Sequence, residues 1–416
     1  MNKTILIAFL LSSLITKAQM SSAIFSPSYS DSLWNITVKP YLAEPLWKTE
    51  TSYSAGHFLM LPMYAAFEQQ NTAWKNDFAQ QFKRFADSGA DDMGKTLLYR
   101  IQYIYLASEY INLCTQYHEE QLIPSNLYAI VYKKIESTWM KDKIWNWRHP
   151  DYKKTSFKNM RSKVLWKLYN KAIQEPTYQT SILDEEFFTM AIAANLKSYL
   201  QNTSQMNDAL LEDMTQIAYE AFNKRVVFTA DGGWIIQAGY WSNYADFLYA
   251  GNSIVTDSIV TKPIPTIAED FSHSMRYPLW INSMLKASDS NSSMYAYYMK
   301  LKVGLTTQLF NKVIVPPSTE INEYQATNYM DGINGVYRYK YNGRQGGIGP
   351  YQLSGALQIG WWSFLDSKRI STIYQHIAST SNLGRMNKYY LYKNINESTF
   401  KYLICILAAK RAAPLD

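Results

Sequence analysis

Apolar residues recur at intervals of three and four along most of the chain, the spacing that places them on one face of an α-helix. Between Leu97 and Leu113, the stripe is Leu97, Ile101, Ile104 and Ile111, with Arg100 and Glu109 off it. A Ser181–Asp184 pair with capping-box spacing opens a second such segment, which sets Phe187, Met190, Ala191 and Ala194 on one face. The same periodicity predicts helices over about 56–88, 125–139, 157–173, 206–224, 278–287, 292–312, 353–365, 367–378 and 399–411. Pro278 belongs in the first turn of its helix, where a proline is tolerated because that N–H has no intrahelical partner. Alternation of period two is scarce, and 254–260 and 312–315 are the best strand candidates.

Consecutive helix pairs, without a Pro/Gly/Ser-rich linker, predict one all-α domain over residues 19–416. A solenoid of stacked pairs would repeat a signature at fixed period, and none is present. The expected architecture is therefore an α/α toroid, a barrel of helical hairpins. Its longest non-helical stretches, about 226–277 and 314–352, are rich in Gly, Asn, Tyr and Trp. Long loops on a compact scaffold commonly carry function, so these are expected to form a cleft.

The N-terminus changes the picture of where the chain works. Lys3, an apolar run from Ile5 to Ile15, and small or polar residues up to Ala18 have the layout of a secretory signal peptide spanning 1–18. That run is well short of the roughly 20 residues a membrane-spanning helix needs. The mature chain is expected to be secreted or periplasmic, monomeric and not inserted in a membrane. Hydrophobic residues at 47% and charged residues at 18% favour a packed core over disorder. Two cysteines, Cys114 and Cys405, cannot build a disulfide framework, and whether they pair is not legible. The formal charge of +7 on an exported protein suits an acidic polymer better than nucleic acid. With 34 tyrosines and 12 tryptophans, the chain is well supplied with rings that stack on sugar faces.

The histidines are His57, His118, His149, His273 and His376, and no pair has the spacing of a helical zinc motif. No cofactor and no catalytic transition metal are expected; a structural calcium is left open. The run at 342–351 lacks the form of a phosphate loop, and no G-x-S-x-G elbow occurs. Three segments remain. The first supplies Tyr53 and His57, and the second, 231–252, supplies Trp234, Trp241, Asn243, Tyr244 and Tyr249. The third gathers Glu269, His273, Arg276, Tyr329, Tyr337, Arg338 and Arg344. Each has a structural alternative: His57 as a helix-start histidine, Trp234 and Trp241 as loop anchors, Arg338 as an ion-pair partner of Asp331 or Glu323.

One chemistry uses these residue types without metal or nucleophile, β-elimination on a uronic acid polymer. Arg276, Arg338 or an amide such as Asn243 would neutralise the carboxylate beside the acidic C5 proton. Neutral His273, or a deprotonated tyrosine, would take that proton, and the hydroxyl of Tyr329 or Tyr337 would protonate the departing glycosidic oxygen. Tyr53, His57, Trp234, Trp241, Tyr244, Glu269 and Arg344 are the further substrate-binding candidates. Glycoside hydrolysis competes, because Asp231, Glu269, Asp270, Glu323 and Asp331 offer carboxylates in the same loops.

The blocks DGGWIIQAGYWSNYADFLYAGN, IAEDFSHSMRYPLWI and NGVYRYKY…GPYQLSGALQIGWWSFL, with the signal peptide and helix pairs, resemble an exported bacterial α/α-barrel polysaccharide lyase. The most similar family is polysaccharide lyase family 38, whose members degrade glucuronan or alginate. The resemblance implies a His/Tyr pair with an Arg or Asn carboxylate clamp, here His273 with Tyr329 or Tyr337. Near Trp241, Asn243 and Tyr244 stand where a second groove histidine would be expected. A glycoside hydrolase or uronate epimerase on the same scaffold, or a non-catalytic carbohydrate-binding relative, is the alternative.

Overall fold

The computed structural model describes residues 23–48, 51–146, 156–171, 176–203, 207–380 and 397–411. The expected signal peptide at 1–18, and His149, lie outside the described residues. The helices are α1 Pro27–Ile36, α2 Val38–Leu42, α3 Thr51–Glu68, α4 Thr72–Arg84, α5 Leu97–Gln116, α6 Leu127–Glu136 and α7 Met160–Tyr169. They continue as α8 Asp184–Asn202, α9 Ala209–Arg225, α10 Phe271–Ser274, α11 Tyr277–Lys286, α12 Ser293–Gln308, α13 Lys368–Thr380 and α14 Glu397–Arg411. Among the described residues, strands are confined to three short antiparallel pairs: Ile144–Trp145 with Ser156–Phe157, Val226–Phe228 with Trp234–Ile236, and Ile314–Val315 with Gln325–Ala326. The chain is thus mainly α. No helix among the described residues is long and apolar enough to cross a membrane.

Helices α3, α5, α8 and α11 pack on one another in that order, and α14 packs back on α3. The turn Trp361–Leu365 lies against both α11 and α14. Helices α4, α9 and α12 each cover one of these on its other side, as α13 covers α14. The two layers have different sequence requirements. α5 is enclosed nearly all round, from Ile101 to Thr115, whereas α4 buries only Trp74, Lys75, Phe78, Gln81 and Phe82. This explains why Glu109, off the apolar stripe of α5, is nonetheless buried. It accepts hydrogen bonds from Tyr64 Oη at 2.5 Å, Ser283 Oγ at 2.8 Å and Asn195 Nδ2 at 3.0 Å, donors supplied by α3, α11 and α8. Polar groups at helix–helix contacts replace the water that the carboxylate lost.

Several expected elements are redrawn by tertiary packing. The helix expected over 56–88 is two, because Gln70 adopts a left-handed conformation and Asn71 caps α4 by accepting from Trp74 N–H. The expected Ser181 cap is replaced at the start of α8: Ser181 Oγ donates to Tyr178 O, while Glu186 reaches back to Leu183 N–H at 2.8 Å. Asp184, in the first turn, instead pairs with Arg276. The helix expected over 353–365 breaks up, since Leu357, Gln358, Ile359 and Gly360 all have positive φ. At Gly360 a Cβ would lie 2.7 Å from Leu61 and 2.9 Å from Ile404, so α3 and α14 leave no room for a side chain there. The strand expected over 254–260 is absent, with Ile254 and Val260 exposed rather than buried on one face. The expected 312–315 strand is present in part, as Ile314–Val315. Pro278 does occupy the first turn of α11. Cys114 and Cys405 are both buried free thiols.

Candidate active site

The packed helices α3, α5, α8 and α11 present their N-terminal ends to the same side of the molecule. Tyr53 sits in the first turn of α3, Leu98 in that of α5, Asp184 and Glu185 in that of α8, and Arg276 immediately before α11. Two loop segments close over these ends. Residues 268–271 are laced to 328–331: Phe271 N–H donates to Asn328 O at 2.9 Å, Met330 N–H to Glu269 O at 3.0 Å, and Ala268 N–H to Asp331 Oδ2 at 2.9 Å. The chain at 335–338 is laced to 246–252 by Val336 N–H to Asn252 O at 2.9 Å and Arg338 N–H to Asp246 O at 3.0 Å. The approach is so close that a Cβ on Gly335 would lie 1.6 Å from Ala250 O. Gly335→Ala is expected to lower stability by about 1–3 kcal/mol, read from a denaturant midpoint, because one loop must back away from the other.

Between these elements lies a recess with a cavity volume of about 150 Å³. Trp241, Tyr244, Phe247 and Tyr337 form its aromatic wall, and Asp184, Glu185, Asp246, Glu269, Asp270, His273 and Arg338 supply its polar groups. His273 is the one imidazole among these. Its Nδ1 lies 2.6 Å from Asp270 Oδ2, and 27% of its side chain remains exposed. Asp270 is buried, caps the short α10 and accepts from Ser272 N–H at 3.0 Å and His273 N–H at 3.2 Å. An Asp270-bound Nδ1–H leaves Nε2 as the free base, with no hydrogen-bond partner among the described residues. Burial opposes charge on His273, but the Asp270 carboxylate outweighs it and holds the imidazole above its usual range. Reciprocally, burial would raise Asp270, yet the His273 charge and the converging donors hold it well below the usual carboxylate range.

Two neighbours behave as acids. Burial pushes Glu269 up to about 8, and its Oε2 accepts from Tyr277 Oη at 2.6 Å. Its Oε1 has no hydrogen-bond partner among the described residues. Tyr337 is buried except for its approach to the recess, and burial with the nearby Asp270 charge keeps its hydroxyl protonated far above neutral pH. That hydroxyl too lacks a partner among the described residues. Arg338 has left-handed φ of 52°, lies over the rings of Tyr337 and Tyr341, and donates from Nε to Asp246 Oδ2 at 2.8 Å. Its ion-pair partner is therefore Asp246, not Asp331 or Glu323. Asp331 instead accepts the backbone N–H groups of Ala268 and Ile333.

The remaining expected residues fall in three places. His273, Tyr337, Arg338, Trp241, Tyr244 and Glu269 line the recess, and Tyr53 lines its narrower extension. Behind it, Arg276 is 1% exposed, bonded through Nη1 to Asp184 Oδ2, through Nη2 to Tyr53 Oη at 3.0 Å, and through Nε to His57 Nε2 at 3.4 Å. His57 is buried with Nδ1 3.0 Å from Tyr53 O, stacked on Trp361, and held neutral by burial and the Arg276 charge. Tyr329 is fully buried and its hydroxyl donates to Val336 O at 3.0 Å, while Trp234 is buried with Nε1 donating to Leu301 O at 2.6 Å. Asn243 and Arg344 are exposed and do not line the recess. Asp246 and Glu185 were not singled out by the sequence, and Asp184 only as a helix-capping residue. Only Asp246 carries a signal, its place inside the aromatic block around Trp241. Among the described residues no group of three or more His, Cys, Asp or Glu side chains is arranged to hold a metal ion. No known family model, curated protein or solved structure matches the chain.

Proposed function

We propose that this is an exported polysaccharide lyase, an α/α toroid that cleaves a uronic acid-containing glycan such as glucuronan or alginate by β-elimination. The observation that carries it is that His273, held through Nδ1 by Asp270, lines one aromatic-walled recess together with Tyr337 and Arg338. The circuit α3–α5–α8–α11–Trp361–Leu365–α14–α3, with partner helices outside it, supports the toroid. The N-terminal ends of α3 and α5 at the recess carry partial positive charge that favours an anionic ligand, whereas Asp184 and Glu185 already meet that of α8. Aromatic rings along one wall suit sugar faces.

In this reading His273 takes the C5 proton and Asp270 stabilises the imidazolium that forms. Tyr337, which stays protonated, delivers a proton to the departing O4. The substrate carboxylate is neutralised by Arg338, drawn partly from Asp246, and by the neutral acid of Glu269. A carboxyl kept protonated by an apolar site can donate a hydrogen bond to developing enolate charge.

The rate of absorbance increase from the unsaturated product, followed against pH, tests these roles. The base form of His273 is the active one, so the rate rises as pH passes the raised imidazole value, above about 6.5. The acid form of Glu269 is the active one, so the rate falls as pH passes about 8. A bell with those limbs is expected; a rate flat across this range contradicts the assignment. Glycoside hydrolysis is a second reading because Glu269, a protonated acid, lines the same recess as the ionised carboxylate of Asp270.

A further inference from the structure

We infer that Asp246 is a positioning residue: it holds the backbone and Nε of Arg338, leaving the two Nη groups as a fixed fork for one free carboxylate of the glycan. The inference rests on the lyase reading for the identity of that ligand. Asp246 and Arg338 come from loop segments 92 positions apart, and both line the recess. They meet twice, through Arg338 N–H to Asp246 O at 3.0 Å and through Arg338 Nε to Asp246 Oδ2 at 2.8 Å. The Asp246 side chain is 6% exposed, and Arg338 is its one hydrogen-bond partner among the described residues. What this carboxylate does, it does through Arg338.

The hold is on the main chain as well as on the side chain. Arg338 has φ of 52°, a left-handed conformation unfavourable for a residue with a Cβ, so its contacts must fix it. The residue before it, Tyr337, exchanges both backbone hydrogen bonds with Ile348, at 2.8 and 2.9 Å. The guanidinium lies 5.0 Å from the ring centroid of Tyr337 and 4.7 Å from that of Tyr341. Ring contacts steady a guanidinium without consuming its N–H groups. Nε is thus engaged, while Nη1 and Nη2 have no hydrogen-bond partner among the described residues. Two parallel N–H groups at that end match the two oxygens of a carboxylate. Arg276 is the contrast, with Nη1, Nη2 and Nε all taken by Asp184, Tyr53 and His57. Burial pushes the Asp246 carboxyl above its usual range, against the charges of Arg338 and His273, so the pair adjoins the proposed base. Asp246 keeps Nε when the ligand takes the Nη end. Its charge opposes the ligand's in the bound ground state, whereas its hold on the fork serves the transition state.

The test compares oligouronates prepared from glucuronan and alginate with their methyl esters, following ultraviolet absorbance. An ester has no charge to be neutralised, so the wild type is expected to favour the free uronate. Asp246→Ala is expected to lower kcat on the uronate by about 10- to 10²-fold, with KM not raised, and kcat on the ester by less than about threefold. A merely structural loss shrinks the pool of active protein and lowers both rates alike, which would overturn the inference. A loss confined to KM would overturn it too. In Asp246→Asn the amide oxygen still accepts from Nε, and most of the rate on the uronate is expected to return. An Asn variant as slow as the Ala variant counts against positioning.

The Nε–H proton of Arg338 supplies a measurement that needs no turnover. Its nuclear magnetic resonance signal, assigned by its loss in Arg338→Lys, is expected to exchange slowly with water in the wild type and fast in Asp246→Ala. Adding the oligouronate is expected to leave it protected, because the ligand takes the Nη end. A signal that exchanges fast in the wild type, or that is lost when the oligouronate is added, overturns the inference and leaves the lyase reading standing. Conversely, absence of ultraviolet absorbance on both substrates contradicts the lyase reading, while a protected Nε–H still supports the hold of Asp246 on Arg338.

Discussion

His273→Ala is expected to lower kcat/KM on an acidic glycan by about 10²- to 10⁴-fold, the usual contribution of a positioned general base. Stability is expected to fall by about 1–3 kcal/mol, because Asp270, only 1% exposed, loses the partner of one carboxylate oxygen. The two outcomes separate because His273 is not a core histidine. A quarter of its side chain is open to the recess, and water entering there limits the loss at Asp270 Oδ2. The other carboxylate oxygen keeps its backbone donors, Ser272 N–H and His273 N–H, which do not depend on the side chain. Steady-state rates paired with a denaturant midpoint check this. Loss of activity accompanied by a stability loss beyond that range would make His273 a structural residue instead.

Arg276→Ala is expected to produce the largest loss of stability, about 3–5 kcal/mol, the usual cost of breaking a buried ion pair from one side. Three groups lose their donor at once: Asp184, the Tyr53 hydroxyl and His57 Nε2. Asp184 would be left as an uncompensated carboxylate on the wall of the recess, and its side chain is 17% exposed, too little for full hydration. Arg276→Lys is expected to recover only part, because an ammonium cannot reach three acceptors in a planar fork. Urea denaturation reads both. A loss below about 1 kcal/mol for Arg276→Ala would mean that the guanidinium is solvated and available to substrate, the role the sequence suggested for it.

What the sequence made legible follows from periodicity and local chemistry. The helices with sustained apolar spacing appear close to their expected limits, and the long aromatic loops line the recess. Non-local contacts account for the differences. Glu109 reads as a surface residue on α5 until α3, α8 and α11 surround it with donors. The segment 353–365 has helical composition, yet Leu357 to Gly360 take left-handed turns, and Gly360 fits between Leu61 and Ile404 with no room for a side chain. Within the candidate site, His273 was picked out because its block is dense in reactive groups, while Asp270 was read only as one of several competing carboxylates and not as its partner. The Arg338–Asp246 pair was not legible, since 92 positions separate the partners and nothing local links them. Arg276 and Arg338 look equivalent in sequence, and only burial distinguishes the arginine behind the wall from the one on it.

The most direct test of the proposed function is one incubation with two readouts. The protein is mixed with glucuronan, alginate and related acidic glycans, and ultraviolet absorbance and reducing ends are followed together, with His273→Ala run in parallel. β-Elimination predicts that absorbance from the conjugated C4=C5 double bond rises mole for mole with new reducing ends, and that both signals are lost in the variant. Reducing ends that accumulate without absorbance would contradict the lyase account and assign the recess to hydrolysis.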